Sequence, residues 1–151
     1  KTAVLLSLCT ELGALIAGCD SQTVYNYAQF GLNLGLAFQV IDDILGIWGD
    51  EAIIGKSAST DILTKKKTLP VLYGLNQNGA LRNLYTQDST DEAFVQKAIG
   101  VLNTTGARDY STQRATYYSQ NALQHLEEAQ PSGPAHAALN QLSSMLLKRN
   151  Y

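Results

Sequence analysis

Residues 25–45 read as one long helix, apolar on most of its faces, that nevertheless carries two adjacent carboxylates, Asp42 and Asp43. A helix apolar all round belongs in the middle of a helical protein, where neighbours cover every face. Its most apolar part, residues 30–45, also holds Asn33 and Gln39, and two carboxylates within one such run would be costly in lipid. A membrane span is therefore rejected. Residues 1–17 are apolar in the same way, through Val4, Leu5, Leu6, Leu8, Leu12, Leu15 and Ile16. Gly18 is the expected stop of that first helix, and Asp20 or Ser21 the expected N-cap of the next. Gly31 and Gly35, four residues apart, bare one face of the 25–45 helix and are expected to admit a neighbouring helix closely, at about 1 kcal/mol of helix propensity each.

The periodicity breaks over residues 46–60, GIWGDEAIIGKSAST, and a basic run, Lys65-Lys66-Lys67, then leads into Thr68-Leu69-Pro70. Pro70 suits the first turn of a helix reaching about Leu75. Further helices are expected near residues 80–85, over 91–102 with Asp91 as cap, over 108–129, and over 135–148 beyond the Pro131-Ser132-Gly133-Pro134 break. No strand-like alternation, internal repeat or low-complexity tract interrupts this pattern, so the expected class is all-α, in one domain over residues 1–151.

An apolar content of 45% with 16% charged residues excludes disorder. The net charge of −2, with no basic stripe, argues against a nucleic-acid partner. Cys9 and Cys19 make neither a disulfide framework nor a zinc site, and reduced thiols fit a cytoplasmic location. The chain opens at Lys1, inside the helical pattern, with no charged leader and no A-x-A site. It is read as a piece of something longer without a signal peptide.

Chemistry concentrates at the end of the carboxylate helix. Gln39 and Asp43 lie one turn apart, Asp42 lies three residues beyond Gln39, and Asp42, Gly46 and Asp50 fall at i, i+4 and i+8 if the helix persists. Acids near a helix C-terminus oppose the macrodipole, and acids among apolar neighbours are costly to desolvate. A cation offsets both costs, and oxygen-only ligands favour Mg²⁺, which bridges a few carboxylates to substrate phosphate. Lys56 and Lys65–Lys67 are near in sequence for such a phosphate. The plainer readings are a solvated helix end for Asp42 and Asp43, a solvated turn for the lysines, core packing for Trp48, and structural or exposed roles for His125 and His136.

The stretch FQVIDDILGIWGDEAIIGKSASTDILTKKKTLPVLYGL resembles the second aspartate-rich region of the trans-isoprenyl diphosphate synthases. In that family F-Q-x-x-D-D-x-x-D is followed by Gly-Lys, an Asp, a lysine run and Thr-x-Pro. The opening Lys1-Thr2-Ala3, the segment TTGARDYSTQRATYYSQNAL and the final LLKRNY are similar to further family elements. The resemblance implies an all-α, isoprenoid-synthase-type helical bundle, of which this chain is the C-terminal half. It also implies a Mg²⁺-dependent prenyltransferase that ionises an allylic diphosphate and condenses it with isopentenyl diphosphate. On this resemblance Asp42 and Asp43 form the metal face and act in catalysis with Lys56. Lys1, Thr2, Lys56 and Lys66 hold the diphosphate, Gln39 contacts it or the carbocation, and Phe38 lines a substrate pocket.

The third acid of D-D-x-x-D is Gly46 here, and Asp50, four residues on, is the candidate replacement metal ligand. The family's first aspartate-rich motif is nowhere in the chain, so these residues alone are expected to turn over slowly or not at all. Residues 4–16 and 30–44 are expected to expose apolar surface, which predicts a homodimer or a swapped oligomer. The rival readings are a terpene cyclase of the same fold, a non-catalytic subunit modulating a synthase, and a plain helical interaction module.

Overall fold

The computed structural model describes residues 1–49, 59–77, 79–88 and 90–147. Every regular element among them is a helix: α1 (Thr2–Ile16), α2 (Ser21–Trp48), α3 (Thr60–Leu63), α4 (Leu69–Gln77), α5 (Gly79–Tyr85), α6 (Glu92–Thr104), α7 (Ala107–Glu128) and α8 (Gly133–Leu147). The all-α expectation holds.

Local signals set most of the helix ends. Gly18 turns left-handed at φ 74, with Cys19 N–H donating to the Ala14 carbonyl and Gly18 N–H to that of Leu15. That double bond is the Schellman stop expected of a glycine after a helix. Asp20 Oδ1 accepts the N–H groups of Gln22 and Thr23 at 2.9 and 3.0 Å, so α2 begins at Ser21, four residues before its apolar periodicity. Asp91 Oδ1 caps α6 by accepting the Phe94 N–H at 2.8 Å. The short α3 has no periodic signature and escapes sequence reading.

The chain forms two compact units. The first comprises Lys1–Gln39 and Arg114–Asn150, with Phe30, Leu34, Ala122 and Leu126 at its core. Here the glycine expectation is met on α1. A Cβ at Gly31 would stand 2.5 Å from the Leu6 carbonyl oxygen, and one at Gly35 would stand 2.4 Å from Ala3 Cα. Thr10 Oγ1 donates to the Tyr27 carbonyl at 2.6 Å and Ser7 Oγ to that of Ala28 at 2.9 Å, closing the same helix pair.

The exposure expectation holds for only one of its two helices. Val4, Leu5, Leu8, Leu12, Leu15 and Ile16 on α1 are exposed, whereas Phe30, Leu34, Ala37, Val40, Ile41 and Ile44 on α2 are buried. By length and composition α2 could cross a membrane, but 67% of its apolar window is buried within the fold, as in a core helix. The correction has a physical cause: an all-round apolar helix is covered by its own chain before it needs a partner.

The second unit comprises Val40–Gln113, around Ile47, Ile62, Val71, Leu81, Phe94, Val95, Ala98, Leu102 and Ala107. Trp48 packs on this core and donates from Nε1 to Asn103 Oδ1 at 2.8 Å, as its core reading requires. Tyr85 packs beside Phe94, and its buried hydroxyl has no hydrogen-bond partner among the described residues. Burial, with a smaller push from Asp61, raises its phenol from 10.0 to about 12. A proton held more tightly in the folded state means stability that is complete below pH 10 and lost between pH 10 and 12. Two pH units correspond to about 2–3 kcal/mol. Tyr85→Phe should abolish that alkaline step without loss of stability at pH 7, and urea melts at pH 7, 10 and 11.5 check both; an unchanged alkaline step assigns it elsewhere.

Candidate active site

The acidic end of α2 is built in the second unit. Asp43 is buried at 7% exposure and Asp42, beside it, is half-buried. Asp43 Oδ2 accepts the Leu69 N–H at 3.1 Å, so it caps the start of α4 across a sequence gap of 26 residues. Thr68, just before that helix, is buried with its Oγ1 unpartnered among the described residues, leaving the capping to Asp43. Asp43 thus has a structural duty that its motif position does not announce.

Lys66 comes from the turn between α3 and α4, where Lys66 N–H donates to the Asp61 carbonyl and Thr68 N–H to that of Lys66. Its ammonium lies 2.9 Å from Asp61 Oδ2 and 3.7 Å from Asp43 Oδ1. The hydrogen bond to Asp61 is the main reason that Lys66 titrates above the usual lysine range, and the charges of Asp61, Asp43 and Asp42 add to it against partial burial. Asp61 and Asp43 therefore flank one cation whose side chain remains 46% exposed. The neighbouring lysines differ. Lys65 donates to the Gln87 carbonyl and lies 5.2 Å from the centre of the Phe94 ring, while Lys67 is exposed.

Gly46, the position of the missing third acid, is also placed. Its carbonyl accepts the Ser59 N–H at 3.1 Å, and a Cβ there would stand 2.6 Å from Asp61 Oδ2. Asp61, which matches the Asp that precedes the lysine run in the family pattern, is thus a neighbour of Gly46 and Lys66. The motif marks Asp61 as a residue but not its contact with position 46, because residues 46 and 61 meet only through the path of the chain between them. Asp50 and Lys56 lie outside the described residues.

In the first unit, Lys1, Thr2 and Phe38 line one cavity of about 420 Å³, completed by Leu5, Leu6 and Leu146. The structure thereby brings together three of the predicted substrate residues around a mainly apolar pocket. Gln39 follows Phe38 on α2, one turn before Asp43.

One of these features bears on a divalent metal, the adjacent carboxylates Asp42 and Asp43 at the end of α2. Among the described residues no group of three or more acidic, His or Cys side chains is placed to hold a metal ion. An open site with few carboxylates suits Mg²⁺, which keeps waters and takes its remaining ligands from phosphate. Asp42 and Asp43 are the residues that could hold it.

The sequence model of the polyprenyl synthetase family matches residues 1–102. This chain belongs to the polyprenyl synthetase family. Its relatives include geranylgeranyl diphosphate synthase of Mycobacterium tuberculosis, 37% identical over 94% of this chain and 42% of that protein. Heptaprenyl diphosphate synthase component 2 of Geobacillus stearothermophilus is 35% identical over 100% of this chain and 47% of that protein. Among solved structures, geranylgeranyl pyrophosphate synthetase of Pyrococcus horikoshii superposes with a TM-score of 0.85 at 27% identity, over 99% of this chain and 46% of that one. The fold is therefore the all-α isoprenoid-synthase fold of the polyprenyl synthetases. The chain spans about half the length of the curated relatives it matches.

Proposed function

We propose that the chain is part of a trans-prenyl diphosphate synthase that condenses an allylic diphosphate with isopentenyl diphosphate. The observation that carries the reading is the Asp43–Lys66 ion pair at 3.7 Å, with Asp42 beside Asp43 on α2, in a chain of this family. Ionisation breaks the allylic C1–O bond and sends its electron pair to the departing diphosphate. The double bond of the five-carbon unit attacks C1, and loss of one proton closes the product. Bound Mg²⁺ would supply positive charge to the leaving group. On this reading Asp42 and Asp43 hold the metal, with Asp50 placed nearby in sequence. Lys1, Thr2, Lys56 and Lys66 are the residues this reading assigns to the diphosphate, Gln39 to the diphosphate or the carbocation, and Phe38 to the lining of a substrate pocket.

The exposed apolar row on α1 supports association, so a homodimer or swapped oligomer is expected in light scattering; a clean monomer counts against it. The 151 residues alone should turn over slowly or not at all, because on this reading two metal faces clamp the diphosphate and these residues carry the second aspartate-rich motif without the first. Two relatives are named component 2 of heptaprenyl diphosphate synthase, which favours as second reading a chain that works with another component.

The deciding assay follows diphosphate release from an allylic diphosphate and Mg²⁺ by the full-length gene product, with and without isopentenyl diphosphate. Release only with the five-carbon unit is the expected result. Release without it assigns a cyclase, and none in either case assigns a modulating subunit.

A further inference from the structure

We infer that the hydrocarbon chain of the allylic diphosphate lies in a trough between α1, α2 and α8, running from the pocket of Lys1 and Thr2 past Cys9 to Gly13. The inference rests on the prenyl-transfer reading and adds the part of the site that meets the apolar end of the substrate, with Cys9, Gly13 and Leu139 as its specificity-determining residues.

Two cavities of the first unit are successive parts of this trough. The one of about 420 Å³ is bordered by Thr2, Leu5 and Leu6 of α1, Phe38 of α2 and Leu146 of α8. The other, of about 410 Å³, is bordered by Cys9, Gly13 and Ala14 of α1, Tyr27 of α2 and Leu139 of α8. The same three helices thus line both. Gly13 stands eleven residues after Thr2, Tyr27 eleven before Phe38, and Leu139 seven before Leu146. Eleven and seven residues are close to three and two whole helical turns, so each helix turns a single face to both cavities. Residue numbers rise along α1 and fall along α2 and α8, so α1 runs opposite to the other two. From Thr2 to Gly13 the trough extends about 16 Å.

The trough is polar at one end. Among the described residues Lys1 alone brings a charge to either cavity. At the far end the Thr10 hydroxyl already donates to the Tyr27 carbonyl at 2.6 Å, which leaves the neighbouring surface apolar. Cys9 and Cys19 border that end as free thiols, which pack as small apolar groups. A Cβ on Gly13 would meet nothing within 4 Å, so its missing side chain leaves open volume. On the opposite side, Leu139 and Leu146 hold α8 against the core of Phe30, Leu34, Ala122 and Leu126. A cation and a hydroxyl at one end of a long apolar track fit an amphiphile with an anionic head, which is what an allylic diphosphate is.

The test treats the full-length gene product with iodoacetamide and follows alkylation of Cys9 by peptide mass spectrometry. A twenty-carbon allylic diphosphate, added with Mg²⁺ at about ten times its dissociation constant, should slow alkylation of Cys9 by about tenfold. Inorganic diphosphate and isopentenyl diphosphate at the same concentration should leave the rate unchanged, since neither carries a tail that reaches beyond Leu6. Gly13→Leu, which fills the far end, should abolish the protection and shorten the longest product formed. Equal protection by inorganic diphosphate overturns the inference, because closure around the head group then shields the thiol. So does a lack of protection by the long chain. A Cys9 that is inert without any ligand also overturns it and assigns the cavity to another segment of the gene product or to a second copy. A folded Gly13→Leu with wild-type protection and wild-type products does the same. If Gly13→Leu does not fold, Cys9→Phe takes its place, with product length as the readout. A wild type that protects Cys9 but forms no product keeps the trough and removes the prenyl-transfer reading; one that forms product without protecting Cys9 keeps the reading and removes the trough.

Discussion

Asp42→Asn is expected to lower allylic-diphosphate turnover by about 10²–10³-fold in the full-length gene product. The amide keeps the size of the side chain and one carbonyl oxygen but removes the negative charge that a metal ligand needs. Fold stability should move the other way. Asp42 is half-buried in the C-terminal part of α2, where a negative charge opposes the helix macrodipole, with no basic residue in the last turn. Neutralising an acid near a helix C-terminus relieves about 0.3–1 kcal/mol. A thermal melt unchanged or slightly raised, beside a collapse of turnover, separates chemistry from folding. Asp43 does not allow that separation, because its carboxylate also holds the Leu69 N–H at the start of α4. Turnover by Asp42→Asn within tenfold of wild type would remove Asp42 from the machinery.

The second large effect concerns the helix pair of the first unit. Gly35→Ala should destabilise the fold by about 1–3 kcal/mol, the range for overpacking a close contact. Its new methyl would lie 2.4 Å from Ala3 Cα and 3.0 Å from Ala3 N, and backbone atoms of α1 cannot rotate away as a side-chain tip can. Helix propensity pulls in the opposite direction by about 1 kcal/mol, so the net sign depends on the clash. Gly13→Ala on α1 isolates the propensity effect, because nothing lies within 4 Å of the Cβ it would add. That variant should gain up to about 1 kcal/mol. Denaturant melts of the two read the contrast directly, and a stabilised Gly35→Ala would show that α1 and α2 separate easily.

Legibility followed the range of the interactions involved. Gly18, Asp20 and Asp91 act on backbone groups within four residues of themselves, so a helix stop and two caps could be read from the residues and stand in the structure. The Gly31 and Gly35 patch announced a close helix neighbour, and only the fold shows that α1 fills it. The burial of residues 30–44 on α2 ran against expectation, since periodicity marks a face as apolar without saying which segment covers it. In the candidate site, Asp42 and Asp43 were legible because adjacency on one helix fixes their relation. The resemblance named Lys1, Thr2 and Phe38 as substrate residues, and only the structure places them on one cavity.

The all-α class, the apolar core helix with its carboxylate pair and the lysine run were decided by the sequence itself, because each depends on helical period or on neighbours within a turn. The capping of α4 by Asp43, the seating of Lys66 between Asp43 and Asp61, and the filling of the Gly46 position by Asp61 were decided by the tertiary structure alone. Apart from Lys66–Asp61, five residues apart, those contacts join residues 15 to 26 positions apart, where the path of the intervening chain, and not residue spacing, determines which side chains meet.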